Sequence, residues 1–234
     1  VARGTILATG ESLKEPAVLL EGDFQQGGLI KGWSATPIKS ITLDTVKVPL
    51  HSNKQLFVFG FGRDAKPTAK LMVNLANGVR IEKVLNVEQR SYDIERIEGV
   101  EKKYVSPPKA VLDRIKSENE QVYLARQQMS FRDDFLANVI TPAQGRLSGF
   151  YGSQRVFNGV PKRPHFGLDI ANKTGTPVIA PWNGKVVFAE PDLYYSGGTL
   201  IIDHGLGVTS TYIHLSMLHV KVGDEVTQGQ LVAD

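Results

Sequence analysis

The sequence predicts a mainly β protein: an N-terminal β-sandwich or barrel-like domain, a linker helix, and a C-terminal antiparallel β unit. Three observations carry that expectation. Short strand-sized apolar runs, separated by turn clusters, fill residues 1–104, the pattern of a small all-β domain. A stretch free of Gly and Pro, with apolar residues at near-helical spacing, follows Pro108. From about residue 141 Gly and Pro become dense, and further strand-sized runs lie between them. The expected divisions are therefore 1–104, a non-catalytic β-domain; 105–140, a helical linker; and 141–234, a second β-rich unit.

In the first domain Ile41-Thr-Leu-Asp-Thr-Val-Lys-Val-Pro-Leu50 partly alternates and reads as one strand. Gln55–Gly60, Ala69–Leu75 and Val79–Val84 follow, punctuated by His51–Lys54 and Ala76–Gly78. Nothing there gathers chemically able groups. Next, Ser106-Pro-Pro108 places a capping hydroxyl before a proline suited to a first helical turn. Lys109 to about Gln128 then carries Val111, Ile115 and Val122 on one stripe and charge elsewhere, which predicts a helix packed by one face. It is too short for a coiled coil. In the last unit, strands are expected at Thr176–Ala180, Gly184–Ala189, Thr199–Asp203, Gly207–His214 and Leu218–Val220.

Composition removes several function classes. The 234 residues are 41% hydrophobic and 22% charged, an ordinary globular balance. The longest sticky run, Leu56 to Phe61, is strand-sized, far short of the about 18 residues of a membrane span. With 27 basic and 24 acidic side chains the net charge is +3, and the excess sits diluted in residues 1–141, 20 against 17. No basic cluster of the kind that grips nucleic acid is present; a weak attraction to an anionic wall or membrane surface is the most it supports. Zero cysteines exclude disulfides and thiol-based metal or redox chemistry. No signal peptide is legible, and the start at Val1 suggests a processed or trimmed form, so secretion is neither shown nor excluded.

In a Cys-free chain, histidines are the first candidates for chemistry. Four of the five lie in the last unit. His165-Phe-Gly-Leu-Asp169 pairs an imidazole with a carboxylate four residues on, with Pro164 and Gly167 arguing for a loop entering a strand. Such a pair alone is commonly incidental. His214 follows Tyr212 on the same expected strand face; its bland reading is a buried histidine bonded to a carbonyl. His204 looks like a strand-end turn residue, His219 like an exposed one, and His51 sits in a turn of the first domain.

Taken together, several blocks resemble the LytM/lysostaphin-type zinc peptidases: Ser148-Gly-Phe-Tyr-Gly-Ser-Gln-Arg155, His165-Phe-Gly-Leu-Asp-Ile-Ala171, Gly175-Thr-Pro-Val-Ile-Ala-Pro181, Asp203-His-Gly-Leu-Gly207, Thr211-Tyr-Ile-His-Leu-Ser216 and Val222-Gly-Asp-Glu-Val-Thr-Gln-Gly-Gln230. They run in order over about residues 142–234. The resemblance implies an antiparallel β core with a groove between loops, zinc as cofactor, His165 and Asp169 as two zinc ligands, and His214 as a catalytic imidazole lining the cleft. Tyr212 is a candidate substrate-binding residue; Arg155 is expected to be structural. The implied activity is hydrolysis of stem-peptide cross-links or bridges of bacterial peptidoglycan by metal-activated water, in the periplasm or as a secreted enzyme of the cell envelope. The implied partners are peptidoglycan stem peptides and no nucleic acid. A further expectation is intramolecular regulation, with the first domain covering the groove.

One departure stands out. The family closes its site with His-x-His, whose second histidine is the third zinc ligand, and Leu231-Val-Ala-Asp234 ends the chain before such a motif. The expectation is a truncated peptidase domain whose remainder is cleaved or carried by another fragment or chain. A second reading is a catalytically inactive relative that binds peptidoglycan or a partner and regulates wall hydrolases. Inactive relatives usually lose zinc ligands, so retention of His165, Asp169 and His214 argues for the enzyme. Val220–Gln230 also resembles the turn of biotinyl/lipoyl carrier domains, but the Met-Lys attachment pair is absent.

Overall fold

The computed structural model describes residues 6–7, 18–99 and 108–234. By contacts the chain divides into Val1–Ser91 and Tyr92–Asp234. The expected boundary near residue 104 and the expected capping residue Ser106 lie outside the described residues.

The first unit contains β1 (Ile6–Leu7), β2 (Leu19–Gly22), β3 (Leu29–Trp33), β4 (Ile38–Leu43), β5 (Val46–Lys47), β6 (Leu56–Gly60), β7 (Thr68–Leu75) and β8 (Arg80–Asn86). They form two four-stranded antiparallel sheets, β1-β2-β3-β6 and β5-β4-β7-β8. One apolar cluster joins them, with Ile30, Phe57, Ile41, Val73 and Leu85 fully buried. The sandwich follows from a period of two: in β7, Ala69, Leu71, Val73 and Leu75 are all buried while their neighbours face outward. Gly32 lets the Phe57 ring lie against β3, since a Cβ there would sit 2.1 Å from the ring. Ile41–Leu50 is not one strand. Asp44 takes φ +52° and turns the chain between β4 and β5, while its carboxylate accepts the Lys70 amide at 2.8 Å. Asp is among the few side chains that tolerate this left-handed conformation, and its carboxylate supplies the local hydrogen bond.

The second unit holds β9 (Ile94–Ile97), a 3-10 turn at Lys109–Val111, helix α1 (Leu112–Gln127), a 3-10 turn at Asp134–Leu136, β10 (Arg146–Gly149), β11 (Gln154–Phe157), β12 (Val160–Pro161), β13 (Asp169–Ala171), β14 (Val178–Ile179), β15 (Gly184–Leu193), β16 (Gly197–Gly205), β17 (Val208–Leu215), β18 (Glu225–Val226) and β19 (Leu231–Ala233). The central sheet is antiparallel, in the order β17-β16-β15-β18. Leu218, expected in a strand, makes an isolated bridge to Ala233. Strand β9 pairs in parallel with β11, the one parallel ladder among the described strands.

Strand β16 is buried on both faces because each has its own cover. Leu200 and Ile202 pack with Val186, Ala180, Val226 and Val232. Ile201, on the opposite face, packs with Val187, Phe188 and Leu193 against Ala125 and Val122 of α1. The expected helical stripe is thus real: Val111, Ile115 and Val122 are the half-buried apolar positions, and Ala125 continues them into burial. Glu118 clamps the helix to the sheet, accepting Arg114 Nε at 2.6 Å and the Tyr194 amide at 2.9 Å. No helix among the described residues is long and apolar enough to cross a membrane.

Candidate metal centre and groove

Strands β10 and β13 form a short antiparallel ribbon that brings Asp169 opposite Gly149. A Cβ at Gly149 would lie 2.1 Å from Asp169 Oδ2, so only glycine leaves the carboxylate its place. The loop before β13 returns His165 to the same spot. Its amide donates to the Ser153 carbonyl at 2.8 Å, and its carbonyl accepts the Gly152 amide at 2.7 Å. His165 Nδ1 lies 3.2 Å from the Phe150 carbonyl. A carbonyl only accepts, so in the neutral ring Nδ1 carries the proton and Nε2 presents a lone pair.

That lone pair faces Asp169 Oδ1 at 3.1 Å. Two acceptors at this separation call for a shared proton or a cation between them. Two donors, each about 2.1 Å from one tetrahedral zinc, stand about 3.4 Å apart, and a second-shell carbonyl on Nδ1 is what such a ligand ordinarily has. The pair therefore fits a zinc ion as two ligands. Among the described residues no third His, Asp or Glu joins them in a group able to hold a metal. The pair lines a groove of about 610 Å³, with Ser148, Phe150, Lys162 and Arg163 along its walls. Arg155 also lines it and pairs with Glu95 at 3.0 Å.

Two of the other histidines, His214 and His204, differ in burial from their readings as isolated residues. His214, whose bland reading was burial, is exposed. It adopts φ +60° inside a register shift of β17, and its amide donates to the Ser196 carbonyl at 2.7 Å. The shift breaks the alternation that would have kept His214 on the face of Tyr212. The fully buried histidine is instead His204, read as a turn residue. Its Nδ1 is 2.6 Å from the Asn183 carbonyl and its Nε2 2.7 Å from Ser210 Oγ, and Trp182 meets its ring edge-on at 5.2 Å. Burial pushes its pKa down, against the pull of the Asn183 carbonyl and of Asp203.

Because Nδ1 must donate to the carbonyl, Ser210 donates to Nε2 and accepts from Tyr212, whose hydroxyl is 2.8 Å away. Tyr212 thus donates inward, and burial raises its phenol to about 12. This Tyr212–Ser210–His204 chain was not read from the sequence, and neither was the cradle at Gly149. The Asp-His-Gly and Ser-Gly-Phe-Tyr strings were visible, but nothing in them tells a buried ring from a turn. His219 is exposed as expected and hydrogen-bonds Asp234 at 2.9 Å. His51 lies in the turn between β5 and β6.

Residues 163–234 match the model of Peptidase family M23. Peptidoglycan DD-endopeptidase ShyA of Vibrio cholerae is 37% identical over 89 residues, which are 37% of this chain and 20% of that protein. A lipoprotein NlpD/LppB homolog of Pseudomonas aeruginosa is 37% identical over 93 residues, 40% of this chain and 29% of the relative. Glycyl-glycine endopeptidase ALE-1 of Staphylococcus capitis is 41% identical over 69 residues, 29% of this chain and 19% of the relative. Each match spans less than a third of the relative's length. A crystal structure of a Pseudomonas aeruginosa protein, described as a candidate peptidase M23, is similar with a TM-score of 0.63 and 25% identity, covering 90% of this chain and 82% of its own. Residues 163–234 are thus the part of the chain that matches Peptidase family M23, and the resemblance to LytM/lysostaphin-type peptidases holds over that stretch.

Proposed function

We propose that the C-terminal unit is a zinc-dependent endopeptidase that hydrolyses peptide cross-links of peptidoglycan in the bacterial cell envelope. The observation that carries this reading is the facing of His165 Nε2 and Asp169 Oδ1 at 3.1 Å inside an open groove, beside Gly149, where a Cβ would meet the carboxylate. The endopeptidases ShyA and ALE-1 among the similar proteins support the substrate class. Zinc held by His165 and Asp169 would supply an activated water and a Lewis acid for the scissile carbonyl. The chain's own residues do the rest. The Phe150 carbonyl keeps His165 in the tautomer that ligates. The imidazole of His214, exposed on β17 and not among the residues that line the groove, is assigned by the family resemblance to accept a proton or to donate to the developing oxyanion. The groove walls hold an extended peptide across the site.

The test is incubation of zinc-loaded protein with purified sacculi, followed by mass spectrometry of the released muropeptides. Conversion of cross-linked dimers to monomers, abolished by a chelator and restored by zinc, is the expected result. An unchanged muropeptide profile with the protein bound to the sacculi would overturn the enzyme reading in favour of a wall-binding regulator.

A further inference from the structure

Strand β17 leaves its register at one place. Leu200 faces Tyr212 and Gly198 faces Leu215, so Thr199 alone stands opposite both Ile213 and His214. Two residues against one is a β-bulge, which bends a strand and re-aims a side chain. At φ +60° His214 holds a conformation uncommon for a residue with a Cβ, kept only where the surroundings over-determine it. What holds it is the turn between β15 and β16, whose Ser196 carbonyl accepts the His214 amide at 2.7 Å.

Ser196 is held in turn by Thr199. Their hydroxyl oxygens are 2.8 Å apart, and Thr199 Oγ1 lies 3.0 Å from the Gly197 carbonyl. Each hydroxyl has one proton. Thr199 donates its own to the Gly197 carbonyl, so Ser196 donates to Thr199. Thr199 is 2% exposed, so its hydroxyl is bonded away from bulk water. Gly198 lets β16 run close to β17 at this point, since a Cβ there would lie 2.2 Å from the Leu215 carbonyl. The hydroxyl chain therefore fixes the turn on one side, and the turn fixes the bulge on the other.

We propose that Thr199, standing opposite the Ile213–His214 bulge and bonded to Ser196, is a positioning residue that sets the direction in which β17 presents the His214 imidazole. The proposal rests on the reading of His214 as a catalytic group. Without the Thr199 hydroxyl the turn loses the two bonds that Thr199 makes to Ser196 and to the Gly197 carbonyl, the Ser196 carbonyl rotates, and the bulge relaxes toward regular pairing. Displacements of this kind, about 1 Å, cost on the order of a hundredfold in rate.

The experiment compares Thr199→Val, which keeps the shape and loses the hydroxyl, with Thr199→Ser, which keeps the hydroxyl, in the full chain. Two readouts are taken: amide hydrogen exchange at His214 by NMR, and kcat and KM on cross-linked muropeptides. In Thr199→Val we expect exchange at His214 to be at least about tenfold faster with other β16 and β17 amides unchanged. We also expect kcat about ten- to a hundredfold lower at unchanged KM. Thr199→Ser restores both. Wild-type exchange and kcat in Thr199→Val would overturn the proposal, as would a general loss of protection that Thr199→Ser does not rescue. If the wild-type protein itself has no turnover, the endopeptidase reading fails, and exchange at His214 alone decides whether Thr199 sets the bulge.

Discussion

The two ring nitrogens of His165 are held in different surroundings: Nδ1 against the Phe150 carbonyl, Nε2 against the Asp169 carboxylate. If these are zinc ligands, His165→Ala and Asp169→Ala should each abolish stoichiometric zinc, read by elemental analysis of the purified protein; zinc retained in either variant would remove that residue from the site. His214→Ala should keep zinc and fall by about 10²- to 10⁴-fold in turnover, the usual range for a lost acid–base group. His204 carries a separate prediction. Its pKa is below the ordinary value in the folded chain, chiefly through burial, so the unfolded chain binds the extra proton. Stability is fully present above about pH 6.5 and is lost as pH falls below it toward the folded value. The expected slope is at most about 1.4 kcal/mol per pH unit from this group. Denaturation midpoints between pH 7 and pH 5 should fall less steeply in His204→Gln than in the wild type.

Among the elements, α1 was the most legible. Its stripe at Val111, Ile115 and Val122 follows from spacing alone, because a period near 3.6 fixes which residues share a face. Spacing did not indicate that Glu118, a charged residue on the same stripe, would bond the Tyr194 amide; that depends on where the β15–β16 turn arrives. Ala125 is 5% exposed, and Leu124 beside it is 58% exposed. Ala125→Asp should therefore destabilise the second unit by about 2–3 kcal/mol, through an unpaired carboxylate in an apolar cluster. Leu124→Asp should stay within about 0.5 kcal/mol of wild type. Urea denaturation of both variants checks the contrast, and equal losses would mean that the helix does not pack by that stripe.

The whole molecule has separate cores for its two units: the sandwich cluster around Phe57 in one, and the clusters on either face of β16 in the other. Calorimetry should resolve two transitions, and a thousandfold excess of zinc over its Kd should add about 4 kcal/mol to the second alone. A single transition that zinc shifts as a whole would contradict that independence. By itself the sequence determined the mainly β class, the helix and its packed face, and the absence of thiol chemistry, whereas His165 and Asp169 were singled out by the family resemblance and not by their spacing. The first three follow from periodicity, composition and short-range spacing, which a linear string records directly. Tertiary structure alone decided which histidine is buried and which exposed, because the bulge opposite Thr199 and the cover of Trp182 over His204 depend on partners from other segments. It also decided that Gly149 cradles the carboxylate and that β9 pairs with β11. Contacts of that range arise only when strands distant in sequence choose their register, and a shift of one residue reverses every face they present.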